Sequence, residues 1–561
     1  MRLLLLLLLS TPIFAQTAPY PTDYFRPPLD IPMQLSGNFG ELRSNHFHTG
    51  FDFRTQQKEG LAVRAAGDGY ISRIKISSYG YGKAIYIDHP NGYTTLYGHL
   101  QKGYGQIEAY IRAEQYKQQS YEIEVFPKPG ELPVFKGDTI ALSGNTGGSE
   151  GPHLHFEFRD TKTEKIINPL YFGFTIKDTK KPNVSSLVAY PVGDSSQVNQ
   201  SARPIILGLS LQPDGTYISE KIKASGKIGF GFTATDQDDI SWNNNGIFKV
   251  QSFLNGNPSF GYQFDVLAFD EGRYINALLD FPRYKRTQQR VQRLFMPTSY
   301  PLSIIKTDGD RGVIPIKPNF SQMYRLEVSD FNANKTTILV PLDYSPAAAT
   351  IPKETVFYSN YVRHDRDCIF EKDGMSVFFP AGTFYESFQL NFDVKDKIMT
   401  VQDDFTPVHS NFLVTIKDAS VVNPEKTFIA SVSGKRLNYN FTKFKDGMFT
   451  TYTKNLGGFT LASDTIPPTI TIAKPIEGKW ITKQNTVELR ISDNLSGIKT
   501  YSGFLNGKWV LFEYDHKAKK IWHVFDPNLL NEGENHLKVI VSDNVGNSAI
   551  FETHFFRSQQ K

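Results

Sequence analysis

At 561 residues, the chain is long enough for about four domains of roughly 150 residues each. Its single cysteine, Cys368, excludes an intrachain disulfide framework and any cysteine-rich zinc site, and is read as a buried structural thiol. The formal charge of +4 is small and spread along the chain without a basic run, so nucleic acid is not an expected partner. The 43 Phe and 28 Tyr residues point instead to half-buried β-sheets.

The chain opens with Met1-Arg2, an unbroken Leu3–Leu9 run and a polar-to-small stretch ending at Ala15. This pattern predicts a signal peptide over residues 1–15, and the run is too short to span a bilayer. No cysteine follows the cleavage point, and no later stretch is apolar enough for a membrane helix. The mature protein is therefore expected to be exported, to the periplasm or beyond, with no transmembrane segment. Residues 16–34 read as a Pro-rich extended lead-in, with order beginning near Leu35.

Next comes Asn45-His46-Phe47-His48-Thr49-Gly50-Phe51-Asp52. His48 and Asp52 are both zinc-ligand types. Fully extended, their Cα atoms would lie about 13 Å apart, but Gly50 midway lets the backbone bend, and keeps bulk out of the space a metal would fill. A β-turn with incidental polar residues explains the segment equally well on its own. His46 reads as structural or rim. Short strands and turns follow from Gly60 to Leu100, including the hairpin signal Asn91-Gly92. His89, beside that turn, reads as a surface residue. His99, at a strand end, reads in isolation as a satisfied core or edge histidine.

Residues 105–119 are predicted helical, with Ile107, Tyr110, Ile111 and Glu114 at a 3–4 spacing, and Pro127–Pro133 breaks the chain. Then Gly147-Gly148-Ser149-Glu150-Gly151-Pro152 sets a tight turn ahead of the strand His153-Leu154-His155-Phe156-Glu157-Phe158. Alternate strand residues share a face, so His153, His155 and Glu157 point one way while Leu154, Phe156 and Phe158 enter a core. Glu157 is equally well read as a group orienting an imidazole or as an exposed strand glutamate.

His48-x-Gly-x-Asp52, Tyr97-Gly98-His99-Leu100, Lys136-Gly137-Asp138 and Gly151-Pro-His153-Leu-His155-Phe-Glu157 occur together, in that order. In these blocks the chain resembles the lysostaphin/LytM-type zinc metallopeptidases over about residues 35–172. One departure is an insert at about 101–133, which leaves the shape of one cleft wall open. The resemblance implies that His48, Asp52 and His155 are ligands of Zn2+ and that His99 and His153 are catalytic. Three protein ligands would leave a zinc position for water, as catalytic sites require. No HExxH motif is present to supply a glutamate base.

The expected fold is mainly β. It begins with a LytM-type antiparallel β-sheet or barrel domain, a duplicated hybrid motif with a short helical insert, at 35–175. About three β-sandwich modules follow, at 178–345, 352–462 and 464–558, the first and last immunoglobulin-like. The stretch Tyr284–Arg293 reads as a basic helical or looped patch. A diverged repeat links the first and last of these modules. Asp236 with Gly246 and Leu254-Asn255-Gly256 matches Asp493 with Gly497 and Leu505-Asn506-Gly507, and Asp330-x-x-Ala-Asn334 matches Asp543-x-x-Gly-Asn547. Ca2+ binding could explain these Asp and Asn residues, but turn chemistry explains them better.

The function expected from the resemblance is a secreted zinc endopeptidase acting on peptide cross-links of peptidoglycan, with the C-terminal modules as spacers or docking sites for protein partners. The alternatives are a non-catalytic wall-binding or hydrolase-activating relative, and an adhesin-like scaffold. Inactive relatives lose ligands, and none is lost here.

Overall fold

The computed structural model describes residues 20–353 and 357–558, so the expected signal peptide lies outside the described residues. The N-terminal domain is built on an antiparallel sheet. We label its strands β1 (Leu35–Gly37), β2 (Phe51–Arg54), β3 (Gly69–Ile76), β4 (Lys83–Asp88), β5 (Tyr93–Gly98), β6 (Ile123–Val125) and β7 (His153–Asp160), with one helix, α1 (Gln106–Gln118). The main path of the sheet runs β1-β2-β7-β5-β4-β3-β6. Thus β7, last in sequence, lies between β2 and β5. Its alternation works as expected: Leu154, Phe156 and Phe158 are fully buried on the core face.

The insert at 101–133 contributes α1, which buries Ile107, Ile111 and Gln115. Gln115 takes the inward position expected for Glu114, and its side-chain amide donates to the Tyr121 carbonyl at 2.7 Å. The described part of the extended lead-in, residues 20–34, packs onto the domain. Phe25 and Leu29 are buried, and the Phe25 ring packs edge-on against His89 at 5.0 Å. His89 is consequently 5% exposed rather than a surface residue, with hydrogen bonds to the Asp68 carbonyl and to Thr95 Oγ1.

One continuous hydrophobic core runs from Phe25 through to Leu342 and takes in Leu511 of the last sandwich. The chain break at Asp178–Pro182 therefore does not separate two cores. Strand Ile166–Ile167 pairs with Val266–Leu267, stitching the N-terminal sheet to the segment that follows. That segment forms a twelve-stranded sheet, antiparallel except where Tyr217–Ile218 and Ile222–Ala224 run parallel to the strand Lys335–Tyr344. Part of the basic patch is the helix Phe281–Thr287, N-capped by Asp280. Residues 359–463 hold two five-stranded sheets around a core of their own, and residues 469–557 hold two four-stranded sheets around another. Cys368 is half-buried, its thiol near the Arg363 and Arg366 carbonyls, so the expected burial is incomplete.

The last sandwich folds back onto the N-terminal domain. Glu513 pairs with Lys83 at 2.7 Å and reaches Arg112 of α1 at 3.6 Å, while Tyr116 of α1 meets Trp509 edge-on. The insert is thus a platform for the C-terminal sandwich.

Candidate metal centre and active site

Sheet register assembles the site. On β2 and β7, Asp52 stands opposite His155, and on β5 Gly98 stands opposite His155, which brings the next residue, His99, to the same end. His48 precedes β2 by one short bend. Gly50 in that bend approaches β7 so closely that a Cβ there would lie 2.2 Å from the Phe156 carbonyl oxygen. Its role is therefore close backbone approach, not the clearing of space for a metal. Gly147 has φ 69°, and a Cβ there would lie 2.3 Å from the Gly82 amide, so this turn is pressed against the loop before β4.

A backbone carbonyl only accepts, so a ring nitrogen that faces one carries a proton. His48 Nδ1–H donates to the Asn38 carbonyl at 2.7 Å, leaving the Nε2 lone pair free. His155 lies between two carboxylates, Nε2 2.9 Å from Glu157 Oε1 and Nδ1 2.9 Å from Asp52 Oδ1, which against the cost of burial raise it to about 9; a metal at Nδ1 would leave Nε2–H donating to Glu157. His48 Nε2, His155 Nδ1 and Asp52 Oδ1 then converge, with separations of 3.2, 3.0 and 2.9 Å. Three lone pairs packed this closely repel one another unless a cation or shared protons lie between them. Tetrahedral zinc with bonds of about 2.0–2.1 Å spaces its ligands about 3.3 Å apart, so this donor set fits zinc. Burial opposes the charge on Asp52, but the imidazoles around it outweigh burial and hold its carboxyl well below the usual range. The second carboxylate oxygen, Oδ2, accepts from Arg43 Nη2 at 3.1 Å, and the same nitrogen also meets Glu41.

His99 and His153 flank this cluster, with ring centroids 4.7 Å apart. His99 Nδ1–H donates to the Thr146 carbonyl and His153 Nδ1–H to the Gly151 carbonyl, both at 2.8 Å. Each is thereby left with a free Nε2, and that of His153 lies 3.4 Å from Asp52 Oδ1. Burial, reinforced by the neighbouring imidazoles, lowers His99 to about 3, so it is neutral. Its backbone sits at φ 57°, a left-handed conformation that non-glycine residues rarely adopt and that concentrates at functional sites.

Of the two readings of Glu157, the structure selects the buried one. The residue is fully buried, holding His155 and accepting from Thr49, Tyr81 and Arg159. Burial works against its charge, but Arg159 and His155 overcome this and hold it ionised. Arg159 extends the His153–His155–Glu157 face by one more alternation, a signal the sequence contained. Arg43 lies on the two-residue strand Leu42–Arg43 and Asn38 in the connection after Gly37, both too short for a periodicity to mark them. His46 is exposed and borders the cavity, in keeping with a rim position.

Removing the negative charge from Glu157 tests this arrangement. Glu157→Gln should weaken zinc binding by about 10–100-fold through loss of the charged partner of His155. It should also lower stability, because buried Arg159 would keep Glu164 as its carboxylate partner but lose Glu157. Zinc titration with parallel denaturant melts reads both effects; wild-type zinc affinity in the variant would contradict the orienting role.

A cavity of about 1280 Å³ opens over the cluster, bordered by Arg43, Arg54, Trp242, Phe269 and Arg290. Among the described residues, its lining draws nothing from the insert. Lys517 of the last sandwich donates to the Asn145 and Ser149 carbonyls at 2.7 and 2.8 Å, bracing the turn that carries His153.

Residues 46–116 match the family model described as Peptidase family M23, and residues 359–464 match that of a Zu5-like domain. The chain carries a peptidase family M23 domain. The DD-carboxypeptidase/endopeptidase Mpg of Neisseria meningitidis serogroup B is 36% identical over 118 residues, 21% of either chain. The peptidoglycan DD-endopeptidase ShyC of Vibrio cholerae is 32% identical over 141 residues, 24% of this chain and 26% of that one. The chain spans about a fifth to a quarter of the length of these curated relatives. Among solved structures, the catalytic domain of the prophage-encoded M23 protein EnpA from Enterococcus faecalis aligns at 23% identity. The TM-score is 0.20, with 27% of this chain and 98% of that chain covered. The M23 match lies on the domain that holds His48, Asp52, His99, His153 and His155.

Proposed function

We propose that this protein is an exported, zinc-dependent endopeptidase that hydrolyses peptide bonds in peptidoglycan cross-links. The observation that carries the reading is the convergence of His48 Nε2, Asp52 Oδ1 and His155 Nδ1 beside two further imidazoles with free Nε2 atoms. In this reading the first three are the metal ligands, and His99 and His153 are the catalytic histidines. When bound there, zinc supplies a water whose pKa falls toward about 7 and polarises the scissile carbonyl.

The chain's own groups supply the rest. With Nδ1–H anchored on a carbonyl, His153 and His99 can each accept a proton from the attacking water at Nε2. The resulting Nε2–H can stabilise the tetrahedral oxyanion or be delivered to the leaving amine. Arg43 holds Asp52 Oδ2, so Oδ1 faces the cluster. The arginines around the cavity suit carboxylate-bearing peptides, and its volume exceeds the range of about 300–1,000 Å³ typical of small-molecule pockets. The names of the Neisseria and Vibrio relatives support the cell-wall substrate. Zinc content measured with turnover on purified cell wall tests the proposal. Full zinc without any cleavage would favour a wall-binding role instead.

Export rests on the Leu3–Leu9 run ahead of Ala15. Among the described residues, no helix is long and apolar enough to cross a membrane. N-terminal sequencing of native material should begin at Gln16, and a start at Met1 would refute cleavage.

A further inference from the structure

We propose that Asp178, Asp236 and Asp330 form a second metal site, for a hard divalent cation of the calcium class, at the seam between the M23 domain and the sheet that follows it. Each contributes one carboxylate oxygen to a cluster in which all three atoms lie within 4.8 Å of one another. An all-oxygen, carboxylate-rich donor set suits calcium rather than zinc.

The decisive group is Asp236. It is 8% exposed, and its buried Oδ1 has no hydrogen-bond partner. A buried carboxylate is paired, coordinates a metal or gives up its charge, and burial beside Asp178 and Asp330 raises Asp236 to about 7, a cost that a bound cation would offset. The other two carboxylates are already oriented. Asp330 accepts from the Asn334 amide at 2.8 Å and from Asn334 Nδ2 at 2.7 Å, and Asp178 Oδ1 accepts from the Lys180 amide at 3.0 Å. The nearby Lys180 ammonium is engaged by Gln237 and by the Asp238 carbonyl.

The internal repeat provides a comparison within the same molecule. Asp464, Asp493 and Asp543 converge in the last sandwich as their counterparts do. Asn547 Nδ2 bridges Asp543 Oδ2 and the Asp464 carbonyl, just as Asn334 Nδ2 bridges Asp330 Oδ2 and the Asp178 carbonyl. There, however, the middle carboxylate is half-buried, and its Oδ2 accepts from the amides of Leu495 and Gly497, although its Oδ1 is also unpartnered. Asp236 has no such amide pair, so turn chemistry accounts for Asp493 far better than for Asp236.

The position links the cluster to the M23 domain. It borders a cavity of about 110 Å³ whose other walls include Asn38, Phe51 and Phe174. The Asp236 backbone exchanges hydrogen bonds with Asn245, at 2.9 and 2.7 Å. The adjacent Gly246 exchanges two with the Asn38 side chain, and the Asn38 carbonyl is the acceptor for His48 Nδ1. A cation held by the three aspartates would brace the seam three hydrogen-bonded contacts away from His48.

The test uses the full-length, zinc-loaded protein in calcium-depleted buffer, titrated with CaCl2 by calorimetry and followed by thermal melts. The expected result is one-site binding, with a Tm that rises as calcium is added. Asp236→Asn should weaken calcium binding by about 100-fold or more through loss of a charged ligand. Without calcium, the variant should melt no lower than the calcium-free wild type, which separates ligand loss from misfolding; Asp330→Asn provides a second variant. A wild-type protein with no binding heat and a calcium-independent Tm would overturn the site. So would binding that survives Asp236→Asn but is lost in Asp493→Asn, which would assign it to the other cluster.

Discussion

His48→Ala and Asp52→Ala should each lose bound zinc and cell-wall cleavage together. In the proposed site each supplies one of three protein donors. With His48 gone, Asp52 and His155 form a two-ligand site; with Asp52 gone, the carboxylate that draws both imidazoles together is lost. Catalytic zinc sites hold three protein ligands, and the metal generates the nucleophile, so activity should fall to background rather than by a modest factor. Asp52→Ala also leaves Arg43 without one of its two carboxylate partners. Metal analysis after dialysis, run beside turnover on cell wall, checks this. Stoichiometric zinc retained in both variants would remove His48 and Asp52 from the ligand set.

His99→Ala and His153→Ala should behave differently, keeping near-full zinc while losing about 10²–10⁴-fold in turnover, the range for a positioned proton-transfer group. Both imidazoles are held by Nδ1–H bonds to backbone carbonyls, in loops outside the three-atom cluster. Their removal therefore leaves His48, Asp52 and His155 in place. His153 is the sharper case, because its Nε2 lies 3.4 Å from Asp52 Oδ1, close enough for the competing view that it is a fourth permanent ligand. Under that view His153→Ala would lose zinc as well. Separation of metal content from turnover decides between them.

Much of the site was legible because strand alternation is local. His153, His155 and Glu157 fall on one face by period alone, and the core side of the same strand follows with them. Arg159 continues that face and could have been read by the same rule. The meeting of Asp52 with His155 is a matter of register between strands a hundred residues apart, which only the resemblance supplied. Asn38 sits in a short connection and Arg43 on a two-residue strand, so neither has a periodic signature. His89 departs from the expected surface position because a residue beside an Asn-Gly turn is ordinarily exposed, whereas here Phe25 folds over it. The same packing orders a Pro-rich lead-in that its composition presents as extended. The continuous core across Asp178–Pro182 depends on the pairing of Ile166–Ile167 with Val266–Leu267, a contact between segments that each look self-contained in sequence. For the repeated Asp and Asn residues, turn hydrogen bonds explain most of the pattern, and Asp236 is where that explanation stops.

The most direct test of the central claim is mass analysis of the products released when the zinc-loaded protein acts on purified, cross-linked peptidoglycan. The account predicts that cross-linked muropeptides disappear and fragments with new amino and carboxyl ends at a stem or cross-link peptide bond appear, with no such products from Asp52→Ala. Unchanged peptidoglycan after incubation with wild-type protein that carries stoichiometric zinc would contradict it.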